Sequence, residues 1–548
     1  MSIQTDTPLY AVDDLTVRFG RRGGHESDPV VDGVSFQIDR GRCLALVGES
    51  GSGKSVTART LIGLAGTDAR VSARRLEFDG HSVEHLTRRQ WRGLRGNRIG
   101  FVLQDALVSL DPLRTVGREI DDALRLHTDL SPAQRRERVL QLLDDVGIPD
   151  PELRATQRAD ELSGGMRQRA LIAAAIAVEP ELIIADEPTT ALDASIQSQV
   201  LALLADLTDR GTAVLLISHD LSVVASVADS VAVMRAGKIV ESGTRARVLD
   251  QPEHPYTRAL IRAIPGAHPR GQRLVTGERM RAAATHSGDA TSDGTPALEL
   301  QGVSKRFTTA SRGTLTAVDD VSLVVHTGQT VGLVGESGSG KTTTARIALG
   351  VTAPDAGDVR LLGSAWAPLA ERERRSRRNL AGAIYQDPFS SFDPRWSVGR
   401  LLADAISGGR STRPGAHTEQ IAELMTSVGL EPSLMSRRTR SLSGGQRQRV
   451  AIARALAPEP RVIICDEPVS SLDVSVQAQV LDLLDELQEQ RDLAYLFISH
   501  DLGVIRHVSD SVAVMWNGRI VEAGDTEQVF ADPQHPYTRT LLNTSRIL

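Results

Sequence analysis

Short unbroken apolar runs alternate along this chain with stretches that read as helices, and the whole succession is written twice. In the first half the run CLALV leads into a glycine-rich loop and then into the helical stretch SVTARTLIGL, with ELIIAD and AVLLIS following as further apolar runs. In the second half a glycine-rich loop again opens into a helical stretch, TTTARIALG. Apolar runs of about four to eight residues, alternating with helical patterns, predict buried strands joined by crossover helices. Each half therefore reads as an α/β domain built on a mainly parallel sheet.

The duplication extends to particular motifs. GESGSGKS at Gly48–Ser55 returns as GESGSGKT at Gly335–Thr342, and LSGGMRQR at Leu162–Arg169 returns as LSGGQRQR at Leu442–Arg449. IIADEP and IICDEP, the two copies of ISHDL, and the two copies of HPYTR keep the same order, at an offset of about 280 residues. Such a period means tandem domains, not a solenoid. Residues 1–264 and 297–548 are the expected domains. Residues 265–296, rich in Gly, Ser, Thr, Asp and Arg and poor in apolar periodicity, have the composition of a linker.

Composition narrows the class. The 548 residues suffice for two sizeable cores, and 63 Lys+Arg against 69 Asp+Glu leave a net charge of −6, which disfavours a surface built to neutralise nucleic-acid phosphates. No nucleic-acid partner is expected. Cys43 and Cys465 both sit inside apolar runs, so neither a disulfide framework nor a Cys-rich metal site can be assembled. No stretch approaches the roughly 18 apolar residues needed to span a bilayer, and the amino terminus does not read as a signal peptide. The protein is expected at the cytoplasmic face of a membrane or in the cytosol, without a transmembrane segment.

The glycine-rich loops fit the P-loop pattern, in which backbone N–H groups close around phosphate oxygens at a helix amino terminus. Gly48, Ser50, Gly51, Gly53, Lys54 and Ser55 form one nucleotide cradle, and Gly335, Ser337, Gly338, Gly340, Lys341, Thr342 and Thr343 form the other. Lys54 and Lys341 would reach the β/γ-phosphates; Ser55 and Thr342 would face Mg²⁺. Asp186 and Asp466 end apolar strands and suit the Mg²⁺ shell, while Glu187 and Glu467, one position on, suit a base that polarises the attacking water. His219 and His500 follow further strands at the end where parallel sheets place ligands, as γ-phosphate contacts. Gln104 and Gln386 are candidates for sensing Mg²⁺ or water, or are ordinary polar loop residues. Ser163-Gly164-Gly165 and Ser443-Gly444-Gly445 read as helix starts with a hydroxyl cap and bare N–H groups, an anion site that needs a P-loop from elsewhere to complete it.

In this order the motifs resemble the ABC ATPases, and the match spans nearly the whole chain apart from the linker. Met166, where the signature usually has Gln, is a mild departure. The resemblance implies tandem P-loop NTPase domains, each with a helical subdomain and a small antiparallel β part beside the parallel core. It further implies a head-to-tail pair in which Lys54 faces Ser443 and Gly445, Lys341 faces Ser163 and Gly165, and two ATP molecules lie between the domains. By the same resemblance, Phe19 and Phe307 stack on adenine or are strand-end core residues, and Asp193 and Asp473 lie across the dimer seam.

QPEHPYTRALIRAIPG and DPQHPYTRTLLNTS look like the carboxyl-terminal extensions of the dipeptide and oligopeptide importer ATPases, as do QDALVSLDP and QDPFSSFDP after the two glutamines. Asp111-Pro112 and Asp393-Pro394 read as helix starts on the subdomain that receives a permease coupling helix in that family. Several relatives of this branch carry an iron–sulfur centre on a Cys cluster after HPYT; this chain has no cysteine there, so no cluster is expected. The branch implies ATP and Mg²⁺ as cofactors, two membrane permease subunits as partners and, through them, an extracytoplasmic solute-binding protein. Two other readings remain: a soluble tandem ABC ATPase acting on the ribosome, against which the Gly/Ser/Thr-interrupted linker argues, and the motor of a nickel or other small-solute importer.

Overall fold

A computed structural model of the chain describes residues 7–20, 28–103, 109–189, 192, 194–268, 270–278, 295–309, 313–388 and 391–544. It divides into two compact units, 1–261 and 262–548.

The first unit contains β1 (Tyr10–Phe19), β2 (Val31–Ile38), β3 (Cys43–Val47), β4 (Ala69–Ser72), β5 (Arg75–Phe78), β6 (His81–Ser82), β7 (Ile99–Val102), β8 (Leu182–Asp186), β9 (Ala213–Ser218), β10 (Ser230–Arg235) and β11 (Lys238–Thr244). Its main sheet runs β11-β10-β3-β9-β8-β7, parallel throughout except for the β10–β11 hairpin. Every residue of β3, β8 and β9 is buried, which is why these strands read as continuous apolar runs and not as alternating ones. A second, antiparallel sheet runs β2-β1-β5-β6, with β4 also paired to β1. Between β7 and β8 lies the helical part, including Val116–His127, Pro132–Asp145 and Gly164–Ile176. Val116, Ile120 and Leu124 bury one face of the first of these helices, and Ser131 with Gln134 closes a capping box ahead of Pro132 in the second.

The second unit repeats the plan with β12 (Leu298–Thr309), β13 (Gly313–Val325), β14 (Thr330–Val334), β15 (Ala356–Leu361), β16 (Ser364–Ala367), β17 (Ala381–Ile384), β18 (Val462–Asp466), β19 (Ala494–Ile498), β20 (Ser511–Trp516) and β21 (Arg519–Asp525). Its main sheet, β17-β18-β19-β14-β20-β21, has the same order, and its antiparallel sheet is β13-β12-β15-β16.

The stretch that composition marks as linker begins at Pro265, and its first part packs as a strap on the second unit. Leu274 is fully buried in that unit's core, and the Asp482 carboxylate accepts the Leu274 and Val275 N–H groups at 2.8 and 3.0 Å. Arg270 pairs with Asp510, and the His268 carbonyl meets His507 Nδ1 at 3.4 Å. Nothing in the local composition signals this, because single residues make the anchorage. A second difference concerns Asp111-Pro112 and Asp393-Pro394, which form turns and not helix starts. Each Asp carboxylate accepts the N–H two residues on, at 2.9 Å in both copies, and the helices begin only at Val116 and Val398.

Beneath the strap, Asp485 is buried in the helix Val474–Arg491, and burial pushes its carboxyl up to about 7; Arg270 opposes this, while Asp482, Glu489 and Asp510 add to it. A folded-state value above the ordinary carboxyl range of about 4 means that ionisation costs folding free energy. This contribution to the second unit's stability is therefore lost as pH rises from about 4 through about 7. Asp485→Asn should raise the melting temperature more at pH 8 than at pH 5, in paired calorimetric scans. An equal shift at both values would contradict the assignment.

Candidate functional site

In each main sheet the repeated order of motifs becomes a single cluster at the carboxyl ends of the parallel strands. The loop after β3 turns sharply because Gly48 adopts φ 147° and Gly53 φ 102°, and the helix Lys54–Leu61 starts directly behind it. A Cβ on Gly48 would stand 2.1 Å from the Met234 carbonyl oxygen, so the loop's backbone is pressed against β10. The second loop repeats this, with Gly335 at φ 151° and 2.1 Å from the Met515 carbonyl oxygen, and Gly340 at φ 108°. Ser50, Gly51, Ser337 and Gly338 are exposed at the mouth.

The Lys54 ammonium donates to the carbonyls of Gly48 at 2.7 Å and Glu49 at 2.8 Å, and Lys341 does the same to Gly335 and Glu336 at the same distances. Both ammonium groups are thus folded back over their own loops. Ser55 Oγ donates to Asp186 Oδ1 at 3.0 Å, and Thr342 Oγ1 to Asp466 Oδ1 at 3.4 Å. Thr343, beside it, is half-buried. Asp186 is fully buried, and its Oδ2 has no hydrogen-bond partner among the described residues. Burial raises the Asp186 and Asp466 carboxyls above the usual range, and the neighbouring Glu187 and Glu467 add to that rise. A buried carboxylate of this kind, with one oxygen unpartnered and a hydroxyl on the other, is what a hard cation would stabilise.

Glu187 and Glu467 both have φ 51°, in the left-handed region, so the chain leaves β8 and β18 with a turn that ordinary residues avoid. The turn is pinned by Glu187 N–H to the Ile217 carbonyl and Glu467 N–H to the Ile498 carbonyl, both at 2.9 Å. It brings each carboxylate to the histidine beyond the next strand: Glu187 Oε1 and His219 Nδ1 are 3.2 Å apart, as are Glu467 Oε2 and His500 Nδ1. Gln386 Nε2 also donates to Glu467 Oε2, at 2.9 Å. Burial alone would depress both histidines, but the hydrogen bond and charge of the paired glutamate prevail and raise them. Burial pushes Glu467 up in turn, yet His500 and Lys341 hold it below the usual carboxylate range.

The other expected residues have local partners of their own or lie outside what is described. Gln104 and Asp193 lie outside the described residues. Ser163 and Ser443 cap helices as their motifs imply, accepting from the N–H of Met166 at 3.3 Å and Gln446 at 3.2 Å. Gln446 returns a bond to the Ser443 N–H at 3.1 Å, which the Met166 thioether does not. Gly164 and Gly444 are exposed, while Gly165 and Gly445 are half-buried. Phe19 packs against the first unit's core, whereas Phe307 is 42% exposed with the Lys305 ammonium 5.8 Å from its ring centroid. Asp473 caps the helix Val474–Arg491 through the Val476 N–H.

Comparison with known families follows the same division. The ABC transporter family model matches residues 31–190 and 318–470. The chain belongs to the ABC transporter family. Residues 240–289 and 521–547 match the oligopeptide/dipeptide transporter C-terminal region, so this ABC protein carries that region after each of its two ATP-binding repeats. It is 42% identical over 551 residues to the peptidoglycan transport ATP-binding protein YejF of Agrobacterium fabrum, covering 98% of this chain and 97% of that one. It is 38% identical over 605 residues to the oligopeptide transport ATP-binding protein OppD of Mycobacterium tuberculosis, covering 98% of both. It is 40% identical over 558 residues to the glutathione import ATP-binding protein GsiA of Escherichia coli O157:H7, covering 97% of this chain and 89% of that protein. The protein is an ATPase of the ABC type, and it binds and hydrolyses ATP.

Sequence reasoning used the HPYT segments only as family markers and missed what their tyrosines touch. Tyr256 OH accepts the Glu49 N–H at 3.2 Å and Tyr537 OH the Glu336 N–H at 3.0 Å, each inside a P-loop. The signal available was the exact repetition of HPYTR in both halves, each copy following its own P-loop.

Proposed function

We propose that this chain is the motor subunit of an importer for di- or oligopeptides, lying at the cytoplasmic face of the membrane and acting through two separate permease subunits and an extracytoplasmic solute-binding protein. The observation that carries the reading is that each unit joins a full phosphate-loop, Asp and Glu–His set to a tail of the oligopeptide/dipeptide type. Peptide-type cargo is favoured by the names of the relatives, which include oligopeptide and glutathione systems. Among the described residues no helix is long and apolar enough to cross a membrane, which fits a motor that borrows its channel.

In this reading Lys54 and Lys341 leave their loop carbonyls for the β/γ-phosphates of ATP. The donor sets of Ser55 with Asp186 and of Thr342 with Asp466 fit a Mg²⁺ ion, which would neutralise phosphate charge there. Glu187 and Glu467 orient and polarise the attacking water, and His219 and His500 hold those carboxylates while facing the γ-phosphate. Gln386, bonded to Glu467, is placed to report on the water, and Gln104 is assigned the same part by its motif. The exposed starts at Ser163 and Ser443 are available to a nucleotide phosphate.

The isolated chain should hydrolyse ATP slowly and without response to peptides, and reconstitution with its permease subunits in vesicles should raise the rate. Steady-state phosphate release with and without those subunits is the measurement. Hydrolysis that never responds to membrane partners, or co-purification with ribosomes in their place, would overturn the reading.

A further inference from the structure

The HPYT segment has a residue-by-residue physical meaning here. His254 ends the turn before the helix Pro255–Arg262, and its Nδ1 accepts the Tyr256 N–H at 3.1 Å, so the imidazole serves as the helix cap. Pro255 occupies the first helical position, where its missing N–H is not needed. The turn itself is held by Glu241 of β11, whose two carboxylate oxygens accept the N–H groups of Glu253 at 2.8 Å and His254 at 3.1 Å. With the helix start fixed in this way, the Tyr256 ring is almost fully buried and its hydroxyl arrives at the Glu49 N–H.

The second unit builds the same device independently. Glu522 accepts the N–H groups of Gln534 at 2.7 Å and His535 at 3.0 Å, His535 Nδ1 accepts the Tyr537 N–H at 3.2 Å, and Tyr537 OH accepts the Glu336 N–H. What differs between the copies is the partner of the ring. The Arg235 guanidinium lies 4.9 Å from the Tyr256 centroid, whereas Trp516 stacks on Tyr537 at 5.4 Å and 22°. The packing has diverged and the hydroxyl contact has not. A contact retained while its packing changes is being kept for what the hydroxyl holds.

It holds the second residue of the phosphate loop. The Glu49 N–H is bound by the tail tyrosine and the Glu49 carbonyl by Lys54; Glu336 is bound in the same two ways. We infer that Tyr256 and Tyr537 are positioning residues for ATP binding, through which each carboxyl-terminal tail forms part of its own unit's nucleotide site. This rests on the reading of the P-loops as the ATP sites. When ATP draws the lysine away from the Glu49 carbonyl, the tyrosine hydroxyl still fixes the loop in the conformation that receives phosphate. Coupling of this kind is reciprocal, so nucleotide should in turn stabilise the tail.

The test is the full-length double variant Tyr256→Phe with Tyr537→Phe, which keeps both rings on Arg235 and Trp516 and removes only the hydroxyls. One hydrogen bond per site predicts an ATP KM raised about 3- to 10-fold, with kcat at saturating ATP within about 2-fold of wild type. A packing role alone predicts no change in KM, because the rings remain. An unchanged KM, or a loss confined to kcat, overturns the inference. Lys54→Ala with Lys341→Ala serves as the control for the P-loop reading: if ATP binding survives it, that reading fails and this inference falls with it, whereas loss there with unchanged KM in the Phe variant refutes the tyrosines alone. Hydrogen exchange on the unmodified protein guards against a variant that folds poorly. Saturating ATP should slow amide exchange in Pro255–Arg262 and Pro536–Thr544 as well as in the P-loops, and tail amides indifferent to ATP would be the refuting result.

Discussion

Replacing both Glu187 and Glu467 by Gln should leave a protein that binds ATP and scarcely turns it over. Gln keeps the length of the side chain and an oxygen within reach of His219 or His500, each 3.2 Å from the native carboxylate, but it cannot take a proton from water. Loss of a positioned general base typically lowers a rate by about 10²–10⁴. Binding should survive, because Lys54, Ser55 and Asp186, with Lys341, Thr342 and Asp466, are untouched. Each single variant should lose much of its turnover, since the two Glu–His pairs have the same separation and the same left-handed turn. Steady-state ATPase and nucleotide occupancy after gel filtration decide the matter. If one single substitution leaves turnover near wild type while the other abolishes it, the sites are unequal, and the capping bond that Gln446 makes and Met166 lacks becomes the first difference to examine.

The sheet and the loops were legible because their requirements are local. A strand buried on both faces has to be apolar throughout, and a phosphate loop pressed against a neighbouring strand has to be glycine where a Cβ would collide, so CLALV followed by GESGSGKS could be read directly. The pairing of Glu187 with His219 could not be. It depends on β8 and β9 being adjacent and on a left-handed residue at the strand end, and neither strand adjacency nor a positive φ at a non-glycine residue is written in a short motif. The tail tyrosines were hidden for the same reason, with Tyr256 and Glu49 separated by 207 positions in the chain. The strap, described over 265–268 and 270–275, was hidden for the opposite one: its composition is that of a linker, and its attachment depends on Leu274, Arg270 and two backbone N–H groups that meet Asp482. At Asp111-Pro112 the residue types suit a helix cap and an Asp-headed turn equally, and the carboxylate's bond to the Leu113 N–H decides for the turn.

Gly48→Ala should be far more damaging than Gly51→Ala, although both change a glycine of the same loop and both require a positive φ. At Gly51, with φ 81°, an added Cβ meets nothing within 4 Å, so the cost is that of the backbone conformation alone, about 1–2 kcal/mol. At Gly48, with φ 147°, the Cβ would be driven to 2.1 Å from the Met234 carbonyl oxygen and 3.1 Å from Ser52 Oγ, and neither β10 nor the loop can withdraw without opening the sheet. Backbone strain and overpacking together put the loss at about 3 kcal/mol or more in the first unit. The loop that survives such a shift no longer aims its N–H groups at one point, so ATP stoichiometry should fall from about two per chain to about one while the second unit keeps its nucleotide. Gly335→Ala should do the converse, because its Cβ would meet the Met515 carbonyl oxygen at 2.1 Å. Calorimetric melting together with equilibrium dialysis against ATP separates the cases. A Gly48→Ala protein that melts like the Gly51→Ala protein and still binds two ATP molecules would show that the strand and loop are not locked together as described.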